Sequence, residues 1–183
     1  MSDWILVTGN ESKWQEAQRI VGRPLAREAL DLPEIQAATT REVALEKAKA
    51  AFAVLARPVI VEDAGLELAA LGSFPGPFIK FWEKLGGRES ICRALDGLPN
   101  RNATAVCVLA LCDASGSRVF EGRVAGTIAA TPRGVTGFGW DSIFVPDGDT
   151  RTFAEMSAAE KDAISHRRRA WEAFRADSRK PAT

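Results

Sequence analysis

Two acids in succession, Glu62 and Asp63, follow the β-branched run Val59-Ile60-Val61. Such a run predicts a buried strand ending at the acids, and α/β sheets take their ligands at the carboxyl ends of strands. Strand side chains alternate faces, so only one of the pair need enter a site. Glu34, in the irregular stretch Asp31-Leu32-Pro33-Glu34-Ile35, offers a second carboxylate. A hard cation such as Mg2+ takes one or two carboxylates and fills its shell with water and phosphate oxygens, a demand that Glu34 and Asp63 together meet. Taken singly, an acidic turn and a solvated loop glutamate explain them as well.

The cations suit an anion. Trp4–Val7 reads as a short strand that passes through Thr8-Gly9-Asn10 into a helix from Glu11, with Trp14, Ala17, Ile20 and Val21 at helical spacing. The free N–H groups of that helix face the turn and form a natural phosphate cradle. Lys13 in the first turn opposes the helix dipole unless an anion is present, or else pairs with Glu16. The spacing is not that of a Walker loop. Lys47 lies near the edge of the apolar stripe of the next helix, and Lys80 opens a third.

A flat partner is suggested further on. In Val135–Gly148 two glycines bracket Phe138, Gly139 is followed by Trp140-Asp141, and a short apolar run ends in Pro-Asp-Gly. This predicts a loop feeding a strand, with two aromatic faces for stacking and Asp141 to accept N–H donors from a heterocycle such as a purine. A buried aromatic corner is the alternative. In the last helical region Ala163, Ile164, Ala170, Trp171 and Phe174 share an arc with Arg167 in its middle. A guanidinium there needs an anion, from the protein or from a ligand. Lys161 and the single histidine, His166, lie close by; a helix broken near Ser165, leaving a solvated basic patch, is the competing reading.

The scaffold follows from ordinary patterning. Capping boxes at Thr39/Glu42 and Ser157/Glu160 open two helices, and Pro24–Leu30 reads as an edge strand. Gly86-Gly87 breaks the helix that carries Phe81, Trp82 and Leu85. Ala103–Cys112 and Arg118–Ala129 form a hairpin about Asp113–Gly116, and Gly97–Asn100 is a candidate lobe boundary. At 46% hydrophobic content, residues 1–183 suffice for one soluble domain with a sizeable core. The 24 basic and 24 acidic residues leave no global field for nucleic acid or an anionic membrane, so any anion site is local. Cys92, Cys107 and Cys112, odd in number and without metal spacing, suggest a reduced, cytoplasmic setting. No stretch approaches the ~20 apolar residues of a membrane span, and the Met1–Asp3 start has no basic leader.

Jointly and in order, Thr8-Gly9-Asn10-x-x-Lys13-x-x-Glu16, Leu32-Pro33-Glu34, Glu62-Asp63-x-Gly65-Leu66, Pro75–Lys80, Phe138-Gly139-Trp140-Asp141 and Ser165-His166-Arg167 resemble the inosine triphosphate pyrophosphatase family, house-cleaning enzymes that hydrolyse ITP, dITP and XTP to monophosphate and pyrophosphate. The resemblance implies an α/β fold, with a long mixed sheet forming two lobes around a nucleotide cleft, and a homodimer. It implies that Thr8, Gly9, Asn10, Glu11, Ser12 and Lys13, with Lys47 and Lys80, hold the triphosphate beside Asp63. Ala64 stands where the family usually has Ser or Thr, which leaves a backbone contact in place of a hydroxyl. Glu34 and Asp63 are implied as Mg2+ ligands, with Asp63 or a nearby carboxylate orienting the attacking water. Phe138, Gly139, Trp140 and Asp141, with Lys161, His166 and Arg167, are implied to enclose the base. The competing functions are a related pyrophosphatase for methylated or pyrimidine nucleotides, and a nucleotide-sensing or RNA-binding module without catalysis. Balanced charge argues against RNA.

Overall fold

Ile5, Leu6 and Val7 are all buried and form β1 (Ile5–Val7), which runs straight into α1 (Glu11–Val21). Asn10 caps α1 by accepting from the Lys13 N–H at 3.0 Å, a device that stabilises by about 1 kcal/mol. The computed structural model describes residues 4–177, so the reading of Met1–Asp3 as a start without a leader lies outside the described residues. The expected edge strand shrinks to β2 (Arg27–Glu28). The Thr39/Glu42 box opens α2 (Thr40–Leu55), which leads to β3 (Val59–Leu68). After it come β4 (Pro75–Gly76), α3 (Ile79–Arg93) with its break at Gly87, and the hairpin β5 (Asn102–Asp113) and β6 (Gly116–Ile128). The aromatic loop feeds β7 (Phe144–Pro146), and α4 (Ala158–Ile164) and α5 (His166–Asp177) follow.

The sheet has the order β2-β1-β3-β5-β6-β7, with β4 paired to β3 off that path. Only the β1 pairings to β2 and β3 are parallel; the remainder are antiparallel, which makes the expected mixed sheet. Alternation distributes β3 between two cores. Val59 and Val61 pack with Ala44, Ala48 and Ala51 of α2, while Ile60 packs with Ala17 and Ile20 of α1 and Trp171 of α5. A third cluster lies toward the other end of the long strands, where Leu66, Leu68, Ala103 and Val124 meet Ile79 and Ile91 of α3, Trp140 of the aromatic loop and Phe144 of β7.

Two expectations are corrected. β3 does not stop at its acids: it pairs with β5 through Glu62↔Leu109, Asp63↔Val108 and on to Leu68↔Ala103. The neighbour that stops is β1, whose pairing ends at Val7↔Val61, so the sheet opens on that side where Glu62 and Asp63 begin. The last helical region is two helices, with the break near Ser165 of the competing reading but without its solvated patch. Ser165 is extended at φ −66, ψ 158, and its hydroxyl caps α5 by accepting from the Arg168 N–H at 3.1 Å. Ala163 and Ile164 are therefore exposed rather than part of the arc. Arg167 is buried all the same, because α5 lies directly on β6: a Cβ on Gly122 would stand 2.1 Å from the His166 carbonyl oxygen.

Candidate active site

A cavity of about 1180 Å3 opens beside the point where β1 ends. Thr8, Gly9, Asn10 and Lys13 line one wall, with the Asn10 N–H donating to Thr8 Oγ1 at 3.1 Å. A Cβ on Gly9 would meet nothing within 4 Å, so the space over this turn belongs to the cavity and admits a ligand close to the backbone. The first helical N–H groups, those of Glu11 and Ser12, have no intrahelical acceptor and form the positive end of α1. The side chains of Glu11 and Ser12 lie outside the lining, and Glu11 pairs with Arg27. Any role of these two in binding is thus a backbone role.

Glu34, Lys47, Asp63, Ala64 and Lys80 line the adjoining wall. Lys47 bonds Glu34 and stands 3.7 Å from Asp63; Lys80 reaches Glu34 at 3.3 Å. The two proposed metal acids therefore share one lysine. Burial raises the Asp63 carboxyl above its ordinary value, and Lys13 and Lys47 offset this only in part. Burial also opposes the charge on Glu34, but the hydrogen bond and charge of Lys47 outweigh it and hold that group low. Among the described residues no group of three or more His, Cys, Asp or Glu is arranged to hold a metal. An oxygen-only pair fits Mg2+, which relies on substrate and water for its remaining ligands.

Phe138, Gly139, Trp140, Asp141, His166 and Arg167 line the far wall. Phe138 is half-buried, with the Lys161 ammonium 4.6 Å and the Arg167 guanidinium 5.4 Å from its ring centre. Trp140 departs from the expected pair of open faces: it is 7% exposed and packs on His166 at 5.2 Å and edge-on to Phe144. Asp141 Oδ2 accepts from the Phe138 N–H at 2.8 Å and from Lys161 at 2.6 Å, so this carboxylate pins its own loop. Lys161 is buried between Asp141 and Glu16 and lies outside the lining.

The anion that Arg167 requires is protein. Its Nε and Nη2 donate to the two oxygens of Glu62, each at 2.8 Å, and Nη1 lies 2.7 Å from Glu16 Oε1 without hydrogen-bond geometry. Lys13 stands 3.5 Å from Glu62. Alternating charges thus run from Lys13 through Glu62, Arg167, Glu16 and Lys161 to Asp141, joining the helix-capped turn to the aromatic loop. Sequence reasoning offered Glu16 only as a partner for Lys13 and left Glu62 as an acid that need not enter a site; neither was assigned to Arg167. The available signal was position: Glu16 is four residues before Ile20 on the buried arc of α1.

This network sets a pH dependence. Burial works against the Glu16 charge, but Arg167 and Lys161 reverse that and hold the carboxyl at about 2. Burial, and then Arg167, push His166 well below the usual histidine range, so it is neutral here. Both folded values lie below the unfolded ones. Their stabilisation is therefore complete above the unfolded value and lost as pH falls: from 6.5 downward for His166, and from 4.5 toward about 2 for Glu16. The Glu16 share is roughly 3 kcal/mol. Raised Asp63 and Asp141 act with the opposite sign and soften the decline. The melting temperature is expected to fall as pH drops below 6.5 and more steeply below 4.5, and His166→Gln should flatten the first segment in a melting series across pH.

In this mixed α/β fold one cleft joins a cationic, helix-capped turn to an aromatic loop. The chain belongs to the Ham1 family, whose sequence profile matches residues 4–177. It is 42% identical over 174 residues to a dITP/XTP pyrophosphatase of Methanopyrus kandleri, covering 93% of each chain. It is 44% identical over 174 residues to an inosine triphosphate pyrophosphatase of Batrachochytrium dendrobatidis, covering 93% of this chain and 90% of that one. A solved HAM1 protein from Coxiella burnetii superposes with a TM-score of 0.83 at 31% identity, over 97% of this chain and 98% of that one. The resemblance read from the motifs, and the fold it implied, are borne out. No helix among the described residues is long and apolar enough to cross a membrane.

Proposed function

We propose that the chain hydrolyses non-standard purine nucleoside triphosphates, ITP, dITP and XTP, to the monophosphate and pyrophosphate, and so cleanses the nucleotide pool. The names of the relatives support the substrate class. The observation that carries the chemistry is Asp63: a carboxylate whose pKa burial raises, beside Lys47, in the cavity that Lys13 and the Thr8–Asn10 turn line. A polyphosphate has its charge met by Lys13, Lys47, Lys80 and the α1 N-terminus, which orient it for in-line attack on the α-phosphorus. Glu34 and Asp63 would hold Mg2+, which supplies neutralisation of charge developing on the phosphate oxygens. Asp63, with a raised proton affinity, is also the group suited to orient or deprotonate the water.

The base end works by shape and fixed dipoles. Phe138 and the neutral His166 face the cavity, and Arg167, though paired to Glu62 and Glu16, presents a buried cationic edge that suits a 6-oxo group and opposes a 6-amino group. The protein acts as a cytoplasmic homodimer in this reading, which light scattering checks. A panel of ITP, dITP, XTP, dATP, dGTP, dCTP and a methylated nucleotide, assayed for pyrophosphate with and without Mg2+, tests the whole. Turnover on the order of a hundredfold higher for the 6-oxo, non-standard purines, and dependent on Mg2+, is expected. Preference for pyrimidines or methylated bases would move the chain to the related group, and binding without turnover would make it a sensor.

A further inference from the structure

Glu83 lines the cavity, yet it belongs neither to the cationic wall nor to the aromatic loop. On α3 it follows Lys80 by three residues, so the two share one side of the helix. Lys80 reaches Glu34, at the phosphate end. Glu83 Oε2 lies 3.6 Å from where a Cβ on Gly139 would stand, at the base end. The carboxylate therefore stands beside the base-end loop, on the helix whose Lys80 serves the phosphate end.

It is also held in place. Its Oε1 accepts from Arg88 Nε at 3.0 Å, and Oε2 has no hydrogen-bond partner among the described residues. Arg88 can turn back onto Glu83 because Gly87 adopts φ 73, a conformation that side chains resist. The break is locked from within: the Ser90 hydroxyl donates to the Gly87 carbonyl at 2.8 Å, and Trp82 Nε1 donates to Ser90 Oγ at 2.9 Å. At 22% exposure the Glu83 side chain is neither a free surface acid nor a core one.

A carboxylate here repels phosphate and seeks a neutral donor. In a nucleoside triphosphate the groups lying between phosphate and base are the sugar hydroxyls. We infer that Glu83 is a specificity-determining residue that accepts a hydrogen bond from the 3′-hydroxyl of the substrate's pentose, the hydroxyl that ribo- and deoxynucleotides share. This assignment rests on the nucleotide reading above.

The test is a cycle of kcat/KM values for wild type, Glu83→Ala, Glu83→Gln and Arg88→Ala on ITP, dITP and 2′,3′-dideoxy-ITP. Wild type should prefer ITP and dITP over the dideoxy analogue by on the order of tenfold to a hundredfold, the range for a hydrogen bond to a charged group. Glu83→Ala should lose that factor on ITP and dITP and almost nothing further on the dideoxy analogue. Glu83→Gln, which keeps an acceptor, should retain part of it, and Arg88→Ala should show a weaker form of the same pattern. Equal losses on all three substrates, or a loss confined to ITP, would overturn the assignment while wild-type turnover left the functional reading standing. No wild-type turnover of any of the three would overturn both.

Discussion

Asp63→Asn is expected to lower kcat/KM for ITP by on the order of a thousandfold or more, in a protein that melts no lower than wild type. The substitution keeps the shape of the side chain, so Lys47 and the cavity wall lose no packing. It removes the anionic oxygen to which the proposed function assigns the cation, the water or both. The stability half has a definite sign. Because burial raises the folded pKa of Asp63 above its unfolded value, the charged form opposes folding at neutral pH. A neutral amide relieves that penalty. Loss of activity with an unchanged or higher melting temperature marks a residue kept for chemistry. Loss of both would make Asp63 a structural acid, and normal turnover would remove it from the site.

Arg167→Ala is expected to act first on the fold. Glu62 and Glu16 are each 1% exposed at the side chain, and both face the guanidinium. Truncating it leaves two buried carboxylates with Lys13 and Lys161 as their remaining partners, a loss of about 3–5 kcal/mol by the usual measure of a broken buried pair. Arg167→Lys should recover only part, since an ammonium cannot satisfy Glu62 with two parallel bonds and still reach Glu16. Denaturant titration reads the stability. Arg167→Met with Glu62→Gln, which removes charge from both sides, should be more stable than Arg167→Ala. Discrimination between ITP and dATP should weaken in whatever fraction remains folded. A fully stable Arg167→Ala would show that the network is solvated in solution.

How far the chain could be read in advance depended on how local the cause was. The Thr39 and Ser157 capping boxes, the Asn10 turn, the break at Gly87 and the β5–β6 hairpin each rest on a few adjacent residues, and each is present. The extension of β3 beyond Glu62 was hidden because it depends on pairing with β5, which the run Val59–Val61 does not encode. A break near Ser165 was one of two open readings, since a serine before a new amphipathic stretch is also a cap, and local pattern did not choose between them. The need of Arg167 for an anion was legible from its place among apolar residues. Which anion was not, since Glu16 and Glu62 come from two other elements. The same nonlocality hid the commitment of Asp141 and Lys161 to one another. Glu34 and Asp63 do converge on Lys47, and Trp140 lines the same cavity, so acids, cations and aromatic loop occupy one cleft.

The most direct measurement is hydrolysis of ITP with Mg2+ in water enriched in heavy oxygen, with mass analysis of both products. Attack at the α-phosphorus, aligned by the lysines and Asp63, places the heavy oxygen in inosine monophosphate and leaves the pyrophosphate unlabelled. Label in the pyrophosphate, or release of orthophosphate with inosine diphosphate, would contradict it.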